Sequence, residues 1–210
     1  MLITGSITKL IYQAEIAFFD KGDADSCLYY YDKAFDSFDF NYVHDLVNAA
    51  QIAHYVHCDY DKYLRKGIVF GLRPAHLEKI SAWHDSPIIK EFADFENSNE
   101  GKMLRQKYLQ SINTDYLQWI YDFCLTEIKH RRNINSNGEA YQEMFAEWTP
   151  LLQEKIAIYG YPGQRLIGIS DSLLYKELNI EGLNFNKKVE ESKDSICKIP
   201  VGGINLSKNC

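Results

Sequence analysis

No Cys-x-x-C pair occurs in this chain, no run approaches 18 consecutive apolar residues, and no familiar catalytic loop is present. Each absence excludes a class. The cysteines, Cys27, Cys58, Cys124, Cys197 and Cys210, are odd in number and scattered, which argues for reduced thiols of a cytoplasmic protein and against a disulfide framework. Without a long apolar run no transmembrane helix is expected. The opening Met1-Leu2-Ile3-Thr4-Gly5 lacks a basic segment followed by an apolar core, so no secretory signal is read there. The glycines near 160–168 lack a Gly-Lys-Ser/Thr continuation and follow a helical pattern, which excludes a phosphate loop, and no Gly-x-Ser-x-Gly elbow exists. No cofactor is expected.

What is present is an ordinary globular composition, 46% apolar and 25% charged, with 15 Tyr, 11 Phe and 3 Trp among 210 residues. That many large rings favour a compact packed fold over disorder. The charge is uneven. Residues 1–61 hold ten Asp/Glu against three Lys/Arg, a net of -7, so the remainder of the -6 chain sums to about +1. An acidic first third repels nucleic acid and anionic membrane and attracts a basic protein partner. A solvated acidic face with no partner is the plainer alternative.

Helical spacing dominates. Ser6 reads as an N-cap, and Ile7, Leu10, Ile11, Ala14, Ala17 and Phe18 define one apolar face. Lys21-Gly22-Asp23 breaks this helix, and a second follows over about 25–38 with Leu28, Tyr31, Ala34 and Phe35 inward. The pattern then returns. A shift of 36 residues lays Ala14, Ile16 and Ala17 on Ala50, Ile52 and Ala53, Asp23 and Asp25 on Asp59 and Asp61, and Leu28 on Leu64. Small residues let paired helices approach closely, and aspartates at the turns cap the next helix. One helix pair per period of this length marks an array of helical hairpins. Ala14, Ala17, Ser26, Tyr30 and Ala34 resemble the small and aromatic positions of the tetratricopeptide repeat over about 5–72, although the Trp-Leu-Gly opening and closing Pro of that repeat are missing. The resemblance implies a stacked helical surface that binds peptides or proteins.

Further along, short helices are expected near 75–84 and 87–96, with Pro74 and Pro87 in first turns and Ser86 as N-cap. Glu96-Asn97-Ser98-Asn99-Glu100-Gly101 reads as a polar loop. Helices over about 102–112 and 114–132 follow, then the loop Asn133–Gly138, a hinge signal. A helix over 139–159 carries Pro150, expected to kink or split it. The Gly160-Tyr161-Pro162-Gly163 turn precedes a short helix from Ser170 to Leu178. In the tail, β-favouring runs flank Gly202-Gly203 and predict a small hairpin, with a loose extended tail the alternative because Pro200 cannot donate a ladder bond.

Two segments, Tyr116-Leu117-x-Trp119-Ile120 leading to Glu127-Ile128-Lys129-His130-Arg131, and Ile156 through Gly163 leading to Leu166-Ile167-Gly168, are similar to an uncharacterised bacterial family. Its members join a helical-repeat region to a domain with an Asp-Gln-x-x-Arg motif and a Tyr-Gly-aromatic-Pro turn. Here Glu127 and Ile128 replace the Asp-Gln, Arg131 matches, and no histidine follows His130. The family brings no activity to carry over.

The expectation is therefore an all-α chain of stacked antiparallel helical hairpins, divided as 1–96, 97–180 and a polar tail 181–210. Tyr29, Tyr30, Asp32, Asp36, Tyr60 and Tyr63 form the candidate surface for a protein partner. Glu127, Arg131 and Tyr161 form the family site, read either as an i,i+4 helix salt bridge or as a hydrolase cleft. His44, His54, His57 and Cys58 share helical spacing but complete no zinc pattern, so no metal is expected. The leading function is non-enzymatic protein binding. A sharper version is a cytoplasmic immunity protein that inhibits a basic toxin.

Overall fold

The computed structural model describes residues 4–80, 83–84, 86–132, 138–169 and 172–180. The Asn133–Asn137 stretch of the expected hinge and the whole tail from 181 lie outside them. Among the described residues every regular element is helical and none is a strand. The chain divides into two compact units, 1–108 and 109–210, with the division inside one helix.

Unit 1 opens with α1 (Thr4–Glu15), so Ser6 lies inside the first turn rather than capping it. The helix continues as a π-helical turn over Ile16–Asp20. Then come α2 (Ala24–Ser37), α3 (Val43–Tyr55), α4 (Asp61–Ile68), the single turn α5 (Pro74–Leu77), α6 (Pro87–Asn97) and α7 (Asn99–Ser111). Neighbours in sequence are neighbours in space: α1 packs on α2, α2 on α3, α3 on α4, and α6 on α4 and α5. The 36-residue shift reappears as geometry. Ala14, Ala17, Ala50 and Ala53 are all buried, the condition for close helix approach. Ser26 N–H donates to Asp23 Oδ1 at 3.0 Å, and 36 residues on Lys62 N–H donates to Asp59 Oδ1 at 3.4 Å. In both hairpins an aspartate accepts the N–H three residues on, an orphan donor of the first turn.

The turns match as well. Gly22 sits at φ 67° after the first helix and His57 at φ 57° after α3. Both use the left-handed conformation that ends helices, easy for glycine and strained for histidine. His57→Gly is expected to raise stability by about 0.5–1 kcal/mol, read as a higher urea midpoint at unchanged slope. A lower midpoint would mean that the histidine side chain is needed at the turn.

The stretch 96–101 is not the loop its polarity indicates. Only Ser98 separates α6 from α7, and its Oγ accepts the Gly101 N–H at 3.1 Å. Ser98 supplies a helix cap, so the polar residues around it belong to helix ends. Nearby, Arg73 Nε holds Glu96 Oε1 at 3.0 Å in a largely buried pair, tying the start of α5 to the end of α6. The expected helix over 75–84 is cut to one turn, and Pro74 and Ser86 stand where first-turn and N-cap positions were expected.

Unit 2 holds the end of α7, then α8 (Thr114–Arg132), α9 (Gly138–Tyr159), and the short α10 (Gln164–Ile167) and α11 (Ser172–Glu177). α9 keeps Pro150 inside one continuous helix. α8 and α9 form a hairpin joined by a ladder of rings: Trp119 with Trp148 at 5.4 Å, Phe123 with Trp148 at 5.3 Å, and Phe123 with Phe145 at 6.3 Å. α10 packs on α8.

Candidate functional site

The acidic residues of α2 are not a bare patch. Lys62 Nζ meets Asp32 Oδ2 at 2.8 Å, and Tyr63 donates its hydroxyl to Asp32 Oδ1, also at 2.8 Å. One turn on, Lys66 Nζ reaches Asp36 Oδ1 at 3.0 Å and the Phe35 carbonyl at 2.9 Å. These bonds clamp α4 to α2 and neutralise the two carboxylates. The lysines and aspartates are mostly half-exposed, so each pair contributes at most about 1 kcal/mol. Tyr63 is 2% exposed and cannot touch a partner. Burial, then its bond to Asp32, pushes its pKa up. Of the six surface candidates, Tyr29 is exposed, Tyr30 is half-buried against it at 5.4 Å, and Tyr60 is half-buried with its hydroxyl 3.4 Å from Glu91.

A polar interior lies among α1, α2 and α3. Burial, and then the charge of Glu15, lift the Asp45 carboxyl to about 6. Burial likewise raises Tyr31, with Glu15 adding to it, and pushes the Cys27 thiol up to about 12. A thiol held that far up is no nucleophile at neutral pH. His44 is lowered by burial, with Glu15 opposing, and its Nε2 lies 3.2 Å from Asn48 Nδ2. His54 stacks edge-on against Tyr60 and Trp83, while His57 and Cys58 are exposed. Among the described residues no group of three or more potential ligands could hold a metal ion.

The exposed aromatics missed by sequence reasoning lie at the end of unit 1 that carries the turns after α1 and α3. Phe18 contacts Phe19 at 5.2 Å and Tyr55 at 6.2 Å, with the rings nearly perpendicular in both cases. Phe19 is 70% exposed and Tyr55 75%. The helical spacing leaves Phe19 off the core face, but it does not show that the Phe18 ring bridges it to Tyr55 from the end of α3.

In unit 2 the structure joins Glu127 and Arg131 and leaves Tyr161 apart. Arg131 Nη2 donates to Glu127 Oε2 at 2.8 Å, and Tyr141 donates its hydroxyl to Glu127 Oε1 at 3.1 Å. Both carboxylate oxygens are engaged. Burial and then the Glu127 bond raise the Tyr141 pKa. Tyr161 follows the far end of α9, where Tyr116 donates to the Gly160 carbonyl at 3.3 Å, and is 78% exposed. Eleven residues of α8 separate Tyr116 from Glu127, about 16 Å at helical rise. The three residues of the expected cleft do not converge, because the hairpin places them at opposite ends. The Glu127–Arg131–Tyr141 set ties α8 to α9.

No helix among the described residues is long and apolar enough to cross a membrane. Comparison with protein-family models, curated proteins and solved structures finds no match. What stands is the fold class: the described residues are all-α.

Proposed function

We propose that this is a non-enzymatic protein-binding molecule of the cytoplasm, whose unit 1 is a tetratricopeptide-like pair of hairpins. The observation that carries this reading is the display of Tyr12, Phe19, Tyr29, Tyr42 and Tyr55, all more than half-exposed and all in unit 1. Rings of this size enrich protein interfaces because they contribute large contact areas at little rotamer cost. The repeated Asp23 and Asp59 caps and the alanine seams support the repeat reading. The acidic first third favours a basic partner, and an inhibitor of a basic toxin is the sharper form of the same reading.

The test is capture of partners from the native host on immobilised protein, repeated at high salt. A bound basic protein that salt releases is the expected result. An empty capture, or one indifferent to salt, overturns the reading of a basic partner.

A further inference from the structure

The turn-bearing end of unit 1 combines open rings with an excess of acid, Asp20, Asp23, Asp25 and Asp59 against Lys21. We propose that this end binds a lysine or arginine side chain, carried on an extended segment of a partner protein, with Phe18 as floor and Phe19 and Tyr55 as walls. The proposal rests on the protein-binding reading above and assigns the chemistry of one contact within it.

Three observations converge. First, Phe18 meets its two neighbours at interplanar angles of 82° and 87°. Each perpendicular contact covers one ring face, but Phe19 and Tyr55 are so exposed that their other faces stay open to a cation, which is drawn to the negative face of a ring. Second, Asp20, Asp23, Asp25 and Asp59 gather around this end, since α1 and α3 finish there and α2 starts there. Asp23 is held below the usual carboxylate range, mainly by its bonds from Ser26, and so stays charged. Asp32 and Asp36, in contrast, are matched by Lys62 and Lys66 further down the same face. Third, the site cannot favour an anion. The free N–H groups that start α2 and follow Asp59 would attract one, but at each place a carboxylate, Asp23 or Asp59, already accepts one of them and puts negative charge there. Net negative charge beside open ring faces selects a cation, and the planar guanidinium of arginine, which stacks best, is preferred to the ammonium of lysine.

The probe is a labelled oligo-arginine peptide, followed by fluorescence anisotropy at low and high salt, with oligo-lysine and oligo-glutamate peptides beside it. Wild type is expected to bind oligo-arginine most tightly and oligo-glutamate not at all. Phe19→Ala combined with Tyr55→Ala is expected to weaken oligo-arginine binding about tenfold. Asp32→Asn combined with Asp36→Asn, which leaves the rings and the terminal aspartates in place, should change it less than about twofold. Phe19 and Tyr55 are solvent-facing, and circular dichroism checks that their removal leaves the helices intact. Equal binding by the ring variant overturns the proposal, because charge alone then accounts for the attraction. So does self-association of the wild type that the ring variant abolishes, which would make a second copy the occupant. Host capture separates the two readings. If capture survives loss of the rings, this inference falls and the protein-binding reading stands. If oligo-arginine binds through the rings but the host yields no partner, the reverse holds.

Discussion

Replacing Gly101 with alanine is expected to cost about 3 kcal/mol of folding stability, even though alanine favours a helix by about 1 kcal/mol over glycine. A methyl group there would lie 2.2 Å from the Phe95 carbonyl oxygen, 2.6 Å from that of Glu96 and 2.7 Å from Glu96 Cα. All three are main-chain atoms at the end of α6, so no side-chain rotation relieves the overlap. The α6–α7 corner has to open, and the Ser98 bond to the Gly101 N–H and the nearby Arg73–Glu96 pair strain with it. Gly138→Ala is the matched control. It also lies in a helix, at the start of α9, and a methyl there meets nothing within 4 Å, so it should be neutral or slightly stabilising. Urea denaturation measures both. A Gly101→Ala protein as stable as wild type would show that the corner is looser than its packing implies.

Asp45→Asn is expected to stabilise the protein by about 2–3 kcal/mol above pH 6 and to remove a pH dependence between about pH 4 and 6. The sign follows from burial. The Asp45 carboxyl is raised to about 6 in the folded state from an ordinary 3.8. Below both values the group is protonated in either state and contributes nothing. As pH climbs between them, the unfolded chain releases its proton while the folded one keeps it, so stability falls. Above 6 the full cost of a buried charge is present. Asp45 stands in the first turn of α3, where free N–H groups welcome negative charge, and that offset sets the lower end of the range. The groups around it are Glu15 from α1, Tyr31 and Cys27 from α2, and from α3 the half-buried Asn48 and the exposed His44. Glu15 deepens the penalty, and asparagine, isosteric and neutral, avoids it. Denaturation midpoints of wild type and variant, followed from pH 4 to 8, should diverge as pH rises. Parallel curves would mean that the carboxylate is solvated in the folded state.

The helical pairing was readable because its determinants are local. Alanines recurring three apart and aspartates 36 apart are positions in one chain, and the structure uses them at both places. The candidate surface was less readable, because the ions that neutralise Asp32 and Asp36 come from α4, thirty residues further on, and no local spacing announces such a partner. Tyr63 has core spacing with Leu64 and Ile68 and is buried with them, its hydroxyl bonded to Asp32, so it drops out of the candidate surface. The polar run 96–101 misled for a related reason: asparagine, serine and glycine mark both loops and helix caps, and only the approach of α6 decides between them. Tyr161 and Glu127 lie on familiar-looking motifs, but the α8–α9 hairpin fixes their separation, and motif spacing carries no information about it. Phe19 escaped notice because a single exposed ring is ordinary, and its companion Tyr55 comes from the end of α3, 36 residues away.

The contrast between Cys27 and Cys58 equips the protein with an internal clock for its own breathing. Cys58 is open to solvent, whereas Cys27 is sealed between α1 and α2 with its proton held tightly. An alkylating reagent must therefore mark Cys58 at once and wait at Cys27 for the first hairpin to part. Followed cysteine by cysteine, since Cys124 is also part-exposed, the lag between Cys58 and Cys27 reports how often the packing around Cys27 opens.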